Sequence, residues 1–405
     1  MTHRQVVITA VGVASPVGGS AQSTFDALNA GVCGIRKHPD PRIDRSVGHV
    51  AEDMTEGLHP SQVRMLDRVT VMANYAANQA LGAAALDASR QAECGVFIGT
   101  GIGGVSTLCE SVEAYHGVVP KRPLLVVPAV MPQAIAAQIA QGLQSTAEAQ
   151  TYATACSAGA VAIGEAYRRI RDGYLDVAIA GGSESMFSPA LMAAWVQLHV
   201  LCAEPAAGQT GYCRPFSHKR TGFALAEGAA MLVLESADHA RARNAAVIAE
   251  ICGYGVSNDG THPVRPDPRG QALAMFRCLV DGGLAAADVG YINAHATGTL
   301  VGDRIETAAI KQVFGAHASS LPVSSIKGAI GHTIGAAGAI EAAVTAMALQ
   351  QGIVPPTLFF ESGDPQCDLD YVAEGARRLP DLRLAISNSF GMGGNNAVLA
   401  FRKVA

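Results

Sequence analysis

The chain is short of charge and of aromatic rings: 16% of its 405 residues are Asp, Glu, Lys or Arg, 5% are Phe, Trp or Tyr, and tryptophan occurs once. A net charge of −5 with no long run of one sign excludes nucleic-acid binding by bulk electrostatics. Uninterrupted apolar stretches of the ~18 to 20 residues that a bilayer span requires are missing, so no membrane span is expected. The nine cysteines show neither C-x-x-C pairs nor zinc spacing. Reduced thiols and a cytoplasmic protein follow as the expectation. Arg4 precedes an apolar run that passes into Ser15-Pro16-Val17-Gly18 without a cleavage site, which reads as a first strand and not as a signal peptide. Low-complexity linkers and tails are also lacking.

What the chain has in quantity is small and apolar residues. Hydrophobic residues reach 49% and there are 44 glycines, a composition that suits small-residue helices packed closely on buried strands. The length fits two packed halves of ~200 residues each, with the boundary expected at 1–240 and 241–405. Strands are predicted at 5–13, 94–99, 177–180, 230–234, 248–255, 289–293, 383–387 and 397–402. Helices are predicted at 21–30, 68–86, 134–143, 271–283, 303–314 and 335–351, with another running on from Gly159. This alternation implies an α/β protein of mainly parallel sheets covered by helices on both faces. No sequence identity between the halves demonstrates a duplication.

One stretch organises the rest. In Thr151-Tyr152-Ala153-Thr154-Ala155-Cys156-Ser157-Ala158-Gly159-Ala160 a Thr-rich, β-favouring run meets a cysteine and then an amphipathic helix, with Val161, Ile163 and Ala166 inward and Arg168, Arg169 and Arg171 outward. Cys156 should therefore lie at a strand-to-helix turn, where free N–H groups favour a thiolate and can hold an oxyanion. Taken alone it reads first as a small core residue. Two later runs bear on that choice. Asn293-Ala294-His295-Ala296-Thr297-Gly298-Thr299 leaves the end of a strand, and Lys327-Gly328-Ala329-Ile330-Gly331-His332-Thr333 precedes a small-residue helix. The glycine loop 99–104 lacks the acidic residue ~20 positions on that a dinucleotide site needs, and reads instead as close backbone approach around a pocket.

These motifs together, T-A-C-S-A-G, N-A-H-A-T-G-T, K-G-A-I-G-H-T-x-G-A-A-G and a terminal N-S-F-G-M-G-G-N-N, resemble in order and spacing the elongating β-ketoacyl-[acyl carrier protein] synthases of the thiolase superfamily. The resemblance covers nearly the whole chain. It implies a thiolase fold of two packed βαβαβαββ halves in a five-layered α-β-α-β-α core. It also implies decarboxylative condensation of an acyl group on Cys156 with malonyl-[acyl carrier protein], in fatty-acid or polyketide elongation. His332 after Lys327 places the chain with the Cys-His-His branch, and Cys156 argues against a chain-length-factor subunit, which lacks the nucleophile. Readings kept open are a subunit of a type II polyketide or aryl-polyene pathway, and a non-catalytic carrier-protein-binding subunit.

By the same resemblance the catalytic residues are Cys156, His295, Lys327 and His332, with the backbone N–H groups of Cys156 and Met392 as oxyanion hole. Asp303, Glu306, Glu341 and Asn388 are supporting residues, and Lys327 is expected to act through Asp303 and Glu306. Thr297 and Thr299 would bind pantetheine. Ile102, Gln133, Phe390 and Met392 would line or gate the acyl pocket, Gln133 from a partner subunit. Arg64, Arg68, Lys121 and Arg122 would dock the carrier. No cofactor or metal is required beyond the carrier's phosphopantetheine, with room for a structural monovalent cation near Asn293, Glu341 and Asn388. The expected partners are acyl carrier protein and a second copy, or a chain-length-factor-like homologue. Three positions depart from the family pattern: Met392 where phenylalanine is usual, Asn395 where threonine is usual, and Thr221 where aspartate is common.

Overall fold

The computed structural model describes residues 3–55, 59–117, 125–205 and 211–404. Ten strands form the central β structure. Five come from the first half: β1 (Val6–Ala14), β2 (Gly95–Gly99), β3 (Ala149–Tyr152), β4 (Val177–Glu184) and β5 (Gly228–Ser236). Five come from the second: β6 (Ala249–Asn258), β7 (Tyr291–Asn293), β8 (Val323–Ser324), β9 (Leu384–Phe390) and β10 (Asn395–Arg402). Their order is β3-β2-β4-β5-β1-β6-β10-β9-β7-β8.

The two halves repeat each other. Outward from the junction, each presents its first, fifth, fourth, second and third strand, with the first two ladders antiparallel and the outer two parallel. They join edge to edge where Val6, Val7 and Ile8 pair with Ile251, Glu250 and Ala249. The duplication that sequence identity does not reveal is thus plain in topology. The expectation of mainly parallel sheets needs correction, since only the outer three strands of each half run parallel.

Helices complete five layers. Helix α1 (Arg68–Ala84) and helix α2 (Ala134–Leu143) cover the outside of the first half. Between the halves lie α3 (Ala158–Arg171) and α6 (Ala337–Gln351), while α4 (Pro268–Asp281) and α5 (Gly302–Phe314) cover the outside of the second half. Burial of every residue from Ala337 to Leu349 explains why α6 carries no amphipathic stripe. The crossing of α3 and α6 is close enough to require glycine: a Cβ on Gly338 would lie 2.8 Å from the Ala160 nitrogen, and one on Gly159 2.9 Å from that of Ala339.

Side-chain caps set several starts. Asp67 accepts from the Val69 N–H at the head of α1, and Asp267 with Pro268 opens α4. The helix predicted from 335 begins instead with a tight turn, Ile334–Ala336, before α6 proper. Helices over Val105–Tyr115 and Pro189–Gln197 were not anticipated. No helix among the described residues is long and apolar enough to cross a membrane.

Candidate active site

Cys156 lies in the turn Ala155–Ser157 between β3 and α3, and is 4% exposed. The turn is sharp. Ala155 takes φ +52°, a left-handed conformation unusual for a residue with a Cβ, and Ser157 Oγ donates to the Thr154 carbonyl at 2.9 Å and so holds it. The loop after β9 comes over this turn at Gly391, where a Cβ would stand 2.9 Å from the Thr154 carbonyl oxygen. That approach sets the Met392 N–H toward the Cys156 sulfur, alongside the cysteine's own N–H.

The turn does not by itself yield the expected thiolate. Burial pushes the Cys156 thiol up to about 11, against the opposing pull of the Met392 N–H, the Lys327 charge and the cysteine's own N–H. The resting group is a thiol.

His332 supplies the missing base. Its Nε2 lies 3.1 Å from Cys156 Sγ, and burial together with the Lys327 charge holds its pKa well below the usual histidine value, so the imidazole is neutral. Its backbone is pinned by strand-like bonds, His332 N–H to the Ala224 carbonyl at 2.8 Å and Ala226 N–H to the His332 carbonyl at 2.9 Å. Gly331 turns the chain into this pairing at φ +79°, where a Cβ would stand only 2.8 Å from the Ala224 oxygen. His295 faces His332 edge to face, ring centroids 5.3 Å apart. Burial, with Lys327 and His332 adding to the effect, likewise keeps His295 neutral. One donor atom each from Cys156, His295 and His332 falls within 4.8 Å of the others.

The acidic residues divide differently from expectation. Lys327, 1% exposed, pairs with Glu341 from α6 and not with Asp303 or Glu306. Glu306 on α5 accepts from the consecutive N–H groups of His295 and Ala296 at 2.9 and 2.7 Å, and Asn388 donates to it at 3.0 Å. Asp303 accepts from the Phe216 and Gly298 N–H groups at 2.7 and 3.1 Å. Both carboxylates therefore shape the loop that carries His295, because they terminate backbone donors that have no strand partner.

These groups open on a cavity of about 320 Å³ lined by Cys156, His295, His332, Thr297, Thr299, Phe390 and Met392. Ile102 lies outside it, 43% exposed, and Gln133 is exposed on the surface, so neither belongs to the pocket of a single chain. Phe223, Leu198, Val200 and the segment 262–266 form walls that the sequence reading missed. The turn-rich run Asp259-Gly260-Thr261-His262-Pro263 was the available signal for the last of these.

Of the docking residues, Arg64 is exposed at the end of a short helix. Arg68 corrects its assignment: it grips the buried Glu227 through two bonds of 2.8 and 2.6 Å and donates to the Val50 carbonyl, which makes it a structural cation. Lys121 and Arg122 lie outside the described residues. Around the expected cation position, buried oxygens of Asn293, Glu341, Asn388 and Ser387 lack hydrogen-bond partners. The Asn293 amide nitrogen is also without a partner; oxygen donors of this kind are those a hard cation takes.

Comparison with known proteins agrees with this geometry. Residues 3–240 match the family model "Beta-ketoacyl synthase, N-terminal domain" and residues 248–361 match "Beta-ketoacyl synthase, C-terminal domain". Nodulation protein E of Rhizobium sp. (strain N33) is 38% identical over 99% of this chain and 100% of its own length. The 3-oxoacyl-[acyl-carrier-protein] synthase 2 of Staphylococcus aureus (strain COL) is 37% identical over 99% of each chain. The solved ishigamide ketosynthase/chain length factor superposes with a TM-score of 0.91 at 30% identity, covering both chains fully. With the cysteine and the two neutral histidines at one cavity of this fold, the lysine buried behind them, and both family models matched, the chain belongs to the β-ketoacyl synthase family.

Proposed function

We propose that the protein condenses an acyl group held on Cys156 with malonyl-[acyl carrier protein], giving 3-oxoacyl-[acyl carrier protein]. The observation that carries this reading is the 3.1 Å approach of His332 Nε2 to Cys156 Sγ, with His295 beside them and all three groups at one cavity wall.

The chemistry runs in two stages. Cys156 Sγ attacks the acyl thioester carbonyl as its proton passes to His332, the Cys156 and Met392 N–H groups hold the oxyanion, and the carrier thiol leaves with that proton. In the second stage the malonyl C–CO₂ bond breaks and CO₂ departs. The enolate oxygen is held by the imidazole N–H of His295, and by that of His332 once its ring proton has moved from Nδ1 to Nε2; neither ring carries a charge to be displaced. The enolate carbon then attacks the acyl carbonyl, Cys156 Sγ leaves as thiolate, and a solvent proton restores the thiol. Lys327 stabilises the anionic stages from behind, and Thr297 and Thr299 are placed at the cavity wall to bond a pantetheine arm. A monovalent cation among the oxygens of Asn293, Glu341 and Asn388 would supply fixed positive charge to the buried carboxylate.

The substrates arrive on acyl carrier protein. The second partner is another copy or a chain-length-factor-like homologue, supported by the exposed apolar residues Ile102, Leu108, Val112, Val127 and Met131 that precede Gln133. The test is condensation with purified acyl and malonyl carriers. Cys156→Ala should keep the fold and lose product entirely, whereas product from that variant would overturn the reading. Cys156→Gln should release CO₂ from malonyl carrier without condensing.

A further inference from the structure

Glu184, the last residue of β4, is fully buried yet takes no part in the chemistry above. Its Oε2 accepts from the Gly101 N–H and, at 3.1 Å, from the Gly335 N–H; the Thr100 hydroxyl donates to Oε1, and the Ile102 N–H also bonds to the carboxylate. Among the described residues it forms no ion pair. A buried carboxylate without a cation is an expensive way to satisfy backbone donors, so its presence calls for a reason.

The reason lies in what those donors belong to. Gly335 lies in the tight turn Ile334–Ala336, which the Ala336 N–H to Thr333 carbonyl bond of 2.9 Å closes directly after His332 and Thr333, and in it Ile334 is held at φ +44°, a strained conformation for a β-branched residue. Such a conformation persists only where its surroundings enforce it. Ile334 packs in the same apolar cluster as Cys156. The other donors belong to the glycine loop 99–104, which carries the exposed Ile102. Space around the carboxylate is filled from both sides, since a Cβ on Gly101 would stand 2.5 Å from Oε2 and one on Gly335 2.6 Å from it.

Resting on the reading under Proposed function, we propose that Glu184 is a positioning residue, whose carboxylate staples the Ile102 loop to the strained Ile334 turn and so seats His332 against Cys156. Burial pushes the Glu184 carboxyl up to about 7, and above that pH its charge has a second effect, because it opposes formation of the nearby Cys156 thiolate.

Two variants of the full chain test this. Glu184→Gln turns an amide NH₂ toward the N–H donors, and Gly335→Ala pushes the same contact apart with the charge retained. Glu184→Gln should fold with a thermal midpoint near that of the parent, and Gly335→Ala, whose Cβ would also stand 2.4 Å from the Gly101 backbone nitrogen, should fold with a lowered one. Both should lower kcat for condensation ~10- to 100-fold with KM changed less than about twofold, as expected when catalytic groups are displaced by a fraction of an ångström to 1 Å. The pH profile of Cys156 alkylation should move to lower pH in Glu184→Gln alone. A folded variant of either kind with the parent's kcat overturns the proposal. So does loss of the fold in both, which would make the contact a requirement of folding and not of the site. Failure of the parent to condense would instead refute the reading on which this one rests.

Discussion

Lys327 and Glu341 face each other as a buried ion pair behind the reacting groups, each 1% exposed. The lysine's charge acts on His295, His332 and Cys156 at once, disfavouring imidazolium and favouring thiolate. It is thus a shared electrostatic support and not a group that touches substrate.

Removing one partner of this pair leaves the other charge buried and alone. Glu341→Gln should destabilise the fold by about 3–5 kcal/mol, read by denaturant unfolding. A loss under about 1 kcal/mol would show that the pair is solvated in solution.

The thiol itself makes a pH prediction. With its pKa pushed up to about 11, alkylation of Cys156 by iodoacetamide should climb steadily from pH 7 to 10 without a plateau, by roughly tenfold per pH unit. Lys327→Ala removes a charge that favours the thiolate, so its profile should shift further to alkaline pH. A plateau below pH 8 in the parent would mean that the turn's N–H groups outweigh burial.

Carrier docking separates the arginines. Arg64→Glu, and charge reversal at Lys121 and Arg122, should raise KM for carrier-bound substrate and leave that for a pantetheine mimic unchanged. Arg68→Glu should instead cost stability, because it sets a carboxylate against the buried Glu227. An Arg68→Glu variant as stable as the parent would return that residue to the docking surface.

Met392 lines the cavity from a loop tied down by the Gly393 N–H to Pro263 carbonyl bond of 2.7 Å. A flexible thioether closes a tunnel less sharply than a ring. Met392→Phe should narrow the accepted acyl lengths while malonyl decarboxylation changes little, since the backbone N–H remains. An unaltered product distribution would place selectivity elsewhere than in this loop.

Much of this site was legible in the sequence because the chemistry is local. Cys156, His295, Lys327 and His332 each sit in a short run of small residues, and the structure brings them together. What the sequence hid is pairwise. Asp303 and Glu306 follow His295 closely and suggested partners for Lys327, but α5 aims them at backbone N–H groups while Glu341 arrives from α6. Arg68 looked like a surface cation because its partner, Glu227, lies far along the chain. The thiolate expected from the helix start failed for the same reason: burial is a property of the packed layers, and no local pattern reports it. The internal repeat, which only the family resemblance implied, leaves no mark in residue identity and survives in strand order.

The central claim is that acyl groups are carried on Cys156. Intact-protein and peptide mass measurement after incubation with acyl-[acyl carrier protein] tests it directly. The account predicts a single acyl adduct on the peptide containing Cys156, discharged as 3-oxoacyl product when malonyl carrier is added and missing in Cys156→Ala. An adduct on another residue, or condensation with no adduct at any time, would contradict it.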